Sequence, residues 1–461
     1  MPVNNRLIGL ALALALGCYV LLRYLNYPHA IAATAAITLL TATLWVSEAL
    51  PIPVTSIIPF FAFPMVGVLD QAQAASALGN HVILLLMGAF MLSKALEKSN
   101  VHSRLAYYLV HLTGGGSAKR LVLGFMLTAA LLSMWISNSA TTLMLLPITL
   151  AVLKHVSDPK LTIAMLLGIA YAASLGGVGT PVGTPPNIIF MSVYLETQGK
   201  EISFIDWMKT GVPIVLLGIP VIAWWLTRHL NNNQVFKLPK SGGWQQQEIR
   251  VLLVFGLVAL AWMFRPFWSV WFNMPSIGDS SIALAGVVLM FLIPAGTSNT
   301  DNDSNSATTL LDWRTAVDIP WGMLLLFAGG ICIAKAFAVS GLSQLMGQGL
   351  SGLAELPVPL LILIICLFVT FLTEITSNTA TATLLMPILA SVGMATGIDP
   401  ALLMMPAAIS ASCAFMLPVA TAPNAIVYGM DKFSIKDMAR QGFMINILLA
   451  VIVTLVSYLT L

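Results

Sequence analysis

The chain has 461 residues, of which 58% are hydrophobic and only 8% are charged. Soluble domains carry roughly a quarter charged residues, so this composition excludes a soluble protein of this length. The formal net charge of +3 is small and gives no reason to expect a nucleic-acid partner. The apolar stretches are rich in Leu, Ala and Met and do not alternate, which favours spanning helices over a barrel.

The predicted spans follow one another through short connections. Residues 7–26 come first and are predicted to form an uncleaved first span rather than a signal peptide. Further stretches of spanning length cover 30–49, 52–69, 81–97, 211–228, 249–267, 280–295, 319–338 and 441–460. Three regions are apolar but interrupted, namely 119–154, 161–197 and 356–430. The longest polar connections, 229–248 and 296–312, are predicted loops.

The distribution of Lys and Arg predicts the orientation. With a cytoplasmic N-terminus, 16 of the 21 basic residues fall on the cytoplasmic side. This assignment requires region 119–154 to enter from the cytoplasm and return there, and it leaves the C-terminus outside. The polar run at 137–142 supports such a hairpin, because non-helical backbone at membrane depth is tolerated only inside protein or a water-filled cavity. We therefore expect a multi-pass protein of the plasma membrane (the inner membrane in bacteria), surrounded by membrane lipid.

An internal repeat divides the chain. Residues 137–148 read SNSATTLMLLPI and residues 377–388 read SNTATATLLMPI, with seven of twelve positions identical at an offset of 240. Downstream, residues 182–187 match 419–424 at an offset of 237. An odd number of predicted crossings separates the two copies, so the second copy is inverted relative to the first. Inverted repeats are the architecture of many secondary transporters, whose sites lie near the midplane where helices are broken.

Each copy contains two features that suit ion binding. A hairpin tip at 137–139 or 377–379 directs the end of one half-helix and the start of the next into the protein, where N–H groups attract anions and carbonyls attract cations. These residue types also cap ordinary turns, but their duplication in an inverted repeat favours a site. The Gly- and Pro-rich segments 176–187 and 417–424 cannot be continuous helices, and they place backbone groups beside the tips.

The paired Ser-Asn-Ser/Thr tips and the Thr-x-Pro-Asn segments, at these positions in a repeat, resemble the divalent anion/sodium symporter family of INDY-type di- and tricarboxylate carriers. The resemblance covers nearly the whole chain. It implies an all-α polytopic membrane protein with two re-entrant hairpins, two discontinuous spanning helices and an elevator mechanism. It also implies a homodimer whose subunits each contain a scaffold and a mobile transport domain.

The resemblance assigns a role to each part of the chain. Residues 1–118 and 229–352 are expected to form the scaffold, and residues 119–228 and 353–461 the two halves of the transport domain. The first sodium ion is expected at Ser133, Ser137, Asn138 and Gly183. The second is expected at Thr373, Thr376, Asn378 and Ala420. The substrate is expected at Ser137, Asn138, Ser139, Thr184, Ser377, Asn378, Thr379 and Thr421. Co-transported sodium ions are the expected cofactor, and no organic cofactor is implied.

Two positions depart from the family pattern. The family usually has Thr at the third position of both tips, and Ser139 lacks that methyl group beside the substrate. The second segment contains Ala422 where a double proline is common. Among the ionisable residues, Glu374 is expected to pair with Lys335 or a backbone group rather than bind a proton or tune the cation site. Lys94 and its repeat mate Lys335 are expected to extend to the membrane surface.

The sequence predicts a sodium-coupled symporter of C4-dicarboxylates such as succinate, malate and fumarate. A sodium-independent dicarboxylate exchanger and a sulfate or citrate carrier remain as alternatives. A membrane-embedded enzyme is disfavoured because the spans contain no HExxH, GxSxG or paired aspartates. A channel is disfavoured because two inverted hairpins would occlude a pore. The site segments contain no Lys, Arg or His, so bound sodium ions are expected to neutralise a dianion.

Overall fold

The computed structural model describes residues 5–113, 117–154, 158–230, 243–274, 276–296, 309–349 and 356–461. The predicted loops at 229–248 and 296–312 lie largely outside these residues. Across the described ranges the chain is helical, with one isolated β-bridge between Pro294 and Thr309. Nine segments in them are long and apolar enough to cross a membrane.

The helices before the repeat are α1 (Asn5–Tyr24), α2 (His29–Ser47), α3 (Ile52–Thr55), α4 (Ile58–Met65) and α5 (Gln71–Leu78). The first copy contains α6 (His81–Ser99), α7 (Val101–Thr113), α8 (Ala118–Ser133), α9 (Asn138–Leu153), α10 (Pro159–Gly176), α11 (Pro185–Gln198) and α12 (Phe204–Thr227). The connecting helices are α13 (Gln246–Trp271), α14 (Asp279–Leu292) and α15 (Trp313–Ala316). The second copy contains α16 (Trp321–Ser340), α17 (Leu342–Gly349), α18 (Val358–Thr373), α19 (Asn378–Thr396), α20 (Pro400–Ala411), α21 (Ala422–Tyr428) and α22 (Ile435–Thr460).

The two copies contain the same succession of helices, which confirms the repeat. Each copy has a span, a short helix, a hairpin, a broken span and a final span in that order. Two predicted spans are wrong: residues 280–295 form the 14-residue α14, which is shorter than a span, and residues 52–69 are not a single span but the short helices α3 and α4. The prolines of this stretch explain the break, because each removes a backbone donor and disfavours helix in the residue before it.

Three of the four hairpin helices are too short to cross the bilayer, and the fourth, α19, has 19 residues and is one of the nine long segments. Helices α8, α9 and α18 have 16 residues each. At 1.5 Å per residue each is about 24 Å long, against a hydrocarbon core of about 30 Å. The tips therefore end inside the protein, where Ser133 and Thr373 are fully buried.

An asparagine side chain bridges the break in each broken span by hydrogen bonds. The Asn187 side-chain amide donates to the carbonyls of Gly177 at 3.0 Å and Thr180 at 2.8 Å. Asn424, its mate at offset 237, donates to the corresponding carbonyls of Ala414 and Leu417 at 3.0 Å each. These bonds pair carbonyls that have lost their helical donors, and they fix the course of the non-helical segments.

The two copies interlock. The first hairpin packs through α9 against α21 of the second broken span, and the second hairpin packs through α19 against α11 of the first. Helix α12 packs against its counterpart α22. Each tip is therefore held beside both broken spans, in a single block that we call the hairpin block (α8–α12 and α18–α22).

Candidate functional site

A cavity of about 740 Å³ lies where the hairpin block meets α6 and the residues before α16. Both tips and both broken segments line it. The predicted substrate residues Ser137, Asn138, Ser139, Thr184, Ser377, Asn378, Thr379 and Thr421 all belong to its lining. Residues separated by up to 284 positions are thus brought to one wall, in an arrangement that could receive a small polar molecule.

Four helices begin at the cavity. Ser137, Thr184, Ser377 and Thr421 are the N-cap residues of α9, α11, α19 and α21, and all four line the cavity. A helix N-terminus carries about half a positive unit charge, and the C-termini of α8 and α18 at the same tips oppose it, so the four N-termini offset a dianion only in part, with the seven-residue α21 as the weakest contributor. The cavity wall is therefore suited to an anion although these residues are uncharged.

Two of these residues also act as ordinary caps. The Ser137 hydroxyl accepts from the N–H of Ala140 at 3.3 Å, and the Thr421 hydroxyl accepts from the N–H of Asn424 at 3.2 Å. The Ser377 side chain makes no cap bond, and the Thr184 hydroxyl lies 3.3 Å from Ser412 Oγ of the other repeat.

Beside the first tip lies a group of oxygens that we call the first oxygen cluster: Ser133 Oγ, the Asn138 amide and the carbonyls of Ala173 and Gly183. The inward atom of the Asn138 amide lies 2.7 Å from Ser133 Oγ, 3.3 Å from Ala173 O and 3.2 Å from Gly183 O. With its nitrogen inward, the amide donates to these oxygens. With its oxygen inward, it completes an all-oxygen set of the kind that hard cations prefer.

The second oxygen cluster contains Thr373 Oγ1, the Asn378 amide and the carbonyl of Ala411. Thr373 Oγ1 lies 2.8 Å from Asn378 Oδ1 and 3.2 Å from Ala411 O. Thr373 and Asn378 repeat Ser133 and Asn138 at offset 240, and Ala411 repeats Ala173 at offset 238. The carbonyls of Ala173 and Ala411 were missed in the sequence, because a backbone carbonyl carries no residue-type signal.

Thr376 and Ala420, which are also predicted to bind the second sodium ion, are not part of the second oxygen cluster as defined above. The Thr376 hydroxyl donates to Leu372 O at 2.9 Å and lies 2.6 Å from Thr381 Oγ1, so it is hydrogen-bonded within the hairpin. Ala420 lines the cavity at the position equivalent to Gly183.

Glycine at two positions allows the close approach in the first cluster. A Cβ on Gly177 would lie 2.7 Å from Asn138 Oδ1, and one on Gly183 would lie 2.4 Å from Gly177 O. The equivalent residues of the second copy are Ala414 and Ala420. The first cluster is therefore the more tightly packed of the two.

Glu374 has a structural role. Its carboxylate accepts from the N–H groups of Phe415 at 2.7 Å, Met416 at 2.9 Å and Leu417 at 3.0 Å, and from the Asn446 amide at 2.7 Å. This confirms the expected pairing with backbone. The buried carboxylate ties the second tip to its broken span and to α22.

Both lysines of the repeat have specific partners in the structure. Lys335 does not reach Glu374: its ammonium donates to Ser76 Oγ at 2.9 Å and lies 3.6 Å from Glu196. Lys94 lines the cavity and is ion-paired with Glu97 and Asp318. The sequence showed Lys94 as a repeat position, but nothing in it indicated the cavity.

Sequence comparison identifies the family. The family model described as the sodium:sulfate symporter transmembrane region matches residues 5–460. The chain belongs to this family. The comparison confirms the resemblance drawn from the tips and identifies a family of transporters rather than enzymes.

Relatives of known name support the assignment. The sodium-dependent dicarboxylate transporter SdcS of Staphylococcus saprophyticus is 40% identical over 447 residues, which are 92% of this chain and 85% of SdcS. SdcS of Staphylococcus aureus strain NCTC 8325 is 40% identical over 450 residues, which are 92% of this chain and 84% of that protein. Among solved structures, the YdaH transporter of Alcanivorax borkumensis superposes with a TM-score of 0.55 at 14% identity, over 94% of this chain and 98% of that one. At that identity the likeness concerns the fold alone.

Proposed function

We propose that the protein is a sodium-coupled symporter of C4-dicarboxylates such as succinate, malate and fumarate. One observation carries the proposal: four helix N-termini, related by the repeat, line a single cavity, and the tip asparagine of each oxygen cluster lines the same cavity. The N-termini suit the substrate carboxylates and the clusters suit two sodium ions. The names of the SdcS relatives point to the same substrate class and the same ion.

Charge balance explains why sodium accompanies the substrate. The residues of both tips and both broken segments contain no Lys, Arg or His, and the carboxylate of Glu374 is occupied by four N–H donors. Fixed dipoles that fully neutralised a dianion would leave the empty carrier with uncompensated positive ends on its return. Mobile cations avoid this, because they arrive and leave with the substrate. We therefore propose that at least two sodium ions travel with each dianion.

For the movement we propose an elevator, with residues 119–228 and 353–461 as the transport domain and residues 1–118 and 229–352 as the scaffold. The proposal is supported by the interlocked packing of the hairpin block and by the position of the cavity at its border with α6. We further propose a homodimer in the plasma membrane, with a cytoplasmic N-terminus and an external C-terminus. The excess of basic residues on one side supports this orientation.

Reconstitution tests the function. Purified protein in liposomes is expected to accumulate labelled succinate with an inward sodium gradient and to lose accumulation when choline replaces sodium. If more than two ions travel with each dianion, an inside-negative potential accelerates uptake. Full-rate uptake in choline that is insensitive to potential would reject symport. Choline-supported uptake that requires succinate inside the vesicle would identify an exchanger instead. In an exchanger the transport domain never returns empty, so the four helix N-termini suffice to stabilise the substrate charge.

A further inference from the structure

The cavity has a charged group away from the tips, which we call the charged triad: Lys94, Glu97 and Asp318. The Lys94 ammonium lies 3.0 Å from Glu97 Oε2 and 3.2 Å from Asp318 Oδ2. All three residues line the cavity, and Lys94 is the one basic residue of the lining as the structure describes it. The triad therefore holds one positive and two negative charges beside a site suited to anions.

The triad belongs to a different part of the protein from the tips. Lys94 and Glu97 are in the last two turns of α6, and Asp318 precedes α16. These elements lie outside the hairpin block. If the block moves against them, as the proposed function requires, a substrate held at the tips faces the triad only when the cavity opens toward the membrane face at which α6 ends.

We propose that Lys94 is a specificity-determining residue for dianions at this one face of the membrane. Without Lys94, Glu97 and Asp318 would give the cavity wall two uncompensated negative charges. With it, the wall carries a single net negative charge, and the ammonium can exchange a carboxylate partner for the substrate as the substrate binds or leaves. The inference rests on the proposed function but concerns a residue that the tips and the oxygen clusters do not include.

Coulomb's law gives the size of the effect. For an assumed separation of about 8 Å in water, removing one positive charge lowers the binding of a dianion by roughly five-fold and of a monoanion by roughly two-fold. The effect is screened by salt because the triad is partly exposed, with side-chain exposures of 25% for Lys94 and 81% for Asp318. Asp318→Asn removes a negative charge and is expected to act in the opposite direction, by less because Asp318 is more exposed.

The chain contains a matched control in Lys98. It is on the same helix, one turn further along, and its side chain is also 25% exposed. It pairs with Asp312 at 2.7 Å, and it is absent from the cavity lining. The hydrogen bonds from Lys98 and from the N–H of Thr315 hold the pKa of Asp312 below its usual value. Lys98→Met therefore removes the same charge from an equally exposed side chain on the same helix without changing the lining of the cavity.

The test measures succinate half-saturation separately from each membrane face, in liposomes whose protein orientation is set by single-cysteine labelling. Lys94→Met is expected to raise half-saturation about five-fold at the face where α6 ends, and less than two-fold at the other. Inhibition by monomethyl succinate, which has one charge, is expected to weaken only about two-fold at the same face. Lys94→Arg is expected to restore wild-type values, and high salt to shrink the effect.

Two results would overturn the proposal. One is that Lys94→Met and Lys98→Met raise the succinate half-saturation concentration equally. The other is that Lys94→Met changes this concentration equally at both membrane faces, or weakens the binding of succinate and of monomethyl succinate equally. If the Lys94→Met protein does not fold, Lys94→Gln and Asp318→Asn provide the test. A lower succinate half-saturation concentration in Asp318→Asn supports the proposal, and an unchanged one rejects it. These outcomes differ from failure of the proposed function, in which the wild-type protein shows no sodium-driven uptake.

Discussion

Gly177→Ala is expected to weaken sodium binding at the first oxygen cluster while leaving the second intact. The added Cβ would lie 2.7 Å from Asn138 Oδ1 and 2.9 Å from Gly183 O. Non-bonded carbon–oxygen contacts are usually about 3.3 Å or longer, so both oxygens must move by roughly half an ångström. Both are proposed sodium ligands. The strain therefore falls on the geometry that binds the ion.

The magnitude follows from overpacking. Extra methyl groups in well-packed sites cost about 1–3 kcal/mol, which corresponds to roughly a 5- to 150-fold higher sodium requirement. Ala414, the repeat mate of Gly177, already has a methyl group at the equivalent place, so the second cluster is unaffected. Because both ions must bind before transport, the sodium midpoint should rise and the steepness of the sodium dependence should fall as the affinities of the two clusters separate.

Two assays measure this change. One is the rate of succinate uptake against sodium concentration in liposomes. The other is the sodium-induced rise in Tm of the purified protein, since a ligand that binds only the folded state stabilises it by RT ln(1 + [L]/Kd). Gly168→Ala in the preceding helix α10 is the control, because its Cβ would meet the flexible Met126 side chain at 3.2 Å, away from the cavity. A Gly177→Ala protein that folds and keeps the wild-type sodium midpoint would refute the assignment of this cluster.

Further substitutions separate the roles of neighbouring residues. Ser133→Ala and Thr373→Ala each remove one hydroxyl from a cluster and should raise the sodium requirement before altering substrate preference; a shift in preference at unchanged sodium dependence would contradict this. Ser139→Thr adds a methyl group at the cavity and should change the ranking of succinate, malate, citrate and sulfate as competitors, whereas an unchanged ranking would place residue 139 away from the substrate. Glu374→Leu leaves several buried N–H groups unpaired at about 1–3 kcal/mol each, so its Tm should fall further than that of any tip variant. A Tm equal to that of Ser139→Thr would show that the four hydrogen bonds are dispensable.

The sequence by itself determined the membrane class, the repeat and the hairpins. These follow from composition and from local pattern: too few charges for a soluble surface, polar residues at membrane depth, and prolines that no continuous helix tolerates. Hydropathy gave a wrong prediction at residues 52–69, where it predicted a span but the prolines produced two short helices. Apolar composition indicates where a segment can be buried, whereas its backbone donors decide whether it can remain one helix.

Only the tertiary structure decided which groups meet. The interlocking of α9 with α21 and of α11 with α19 brings four helix N-termini to one cavity, and no local pattern encodes that exchange. The carbonyls of Ala173 and Ala411 join the oxygen clusters through backbone position, which any residue type could supply. Lys94 has the same sequence signature as Lys335, yet one lines the cavity and the other does not. The direction in which a long side chain points depends on how its helix is packed, and packing is a property of the whole chain.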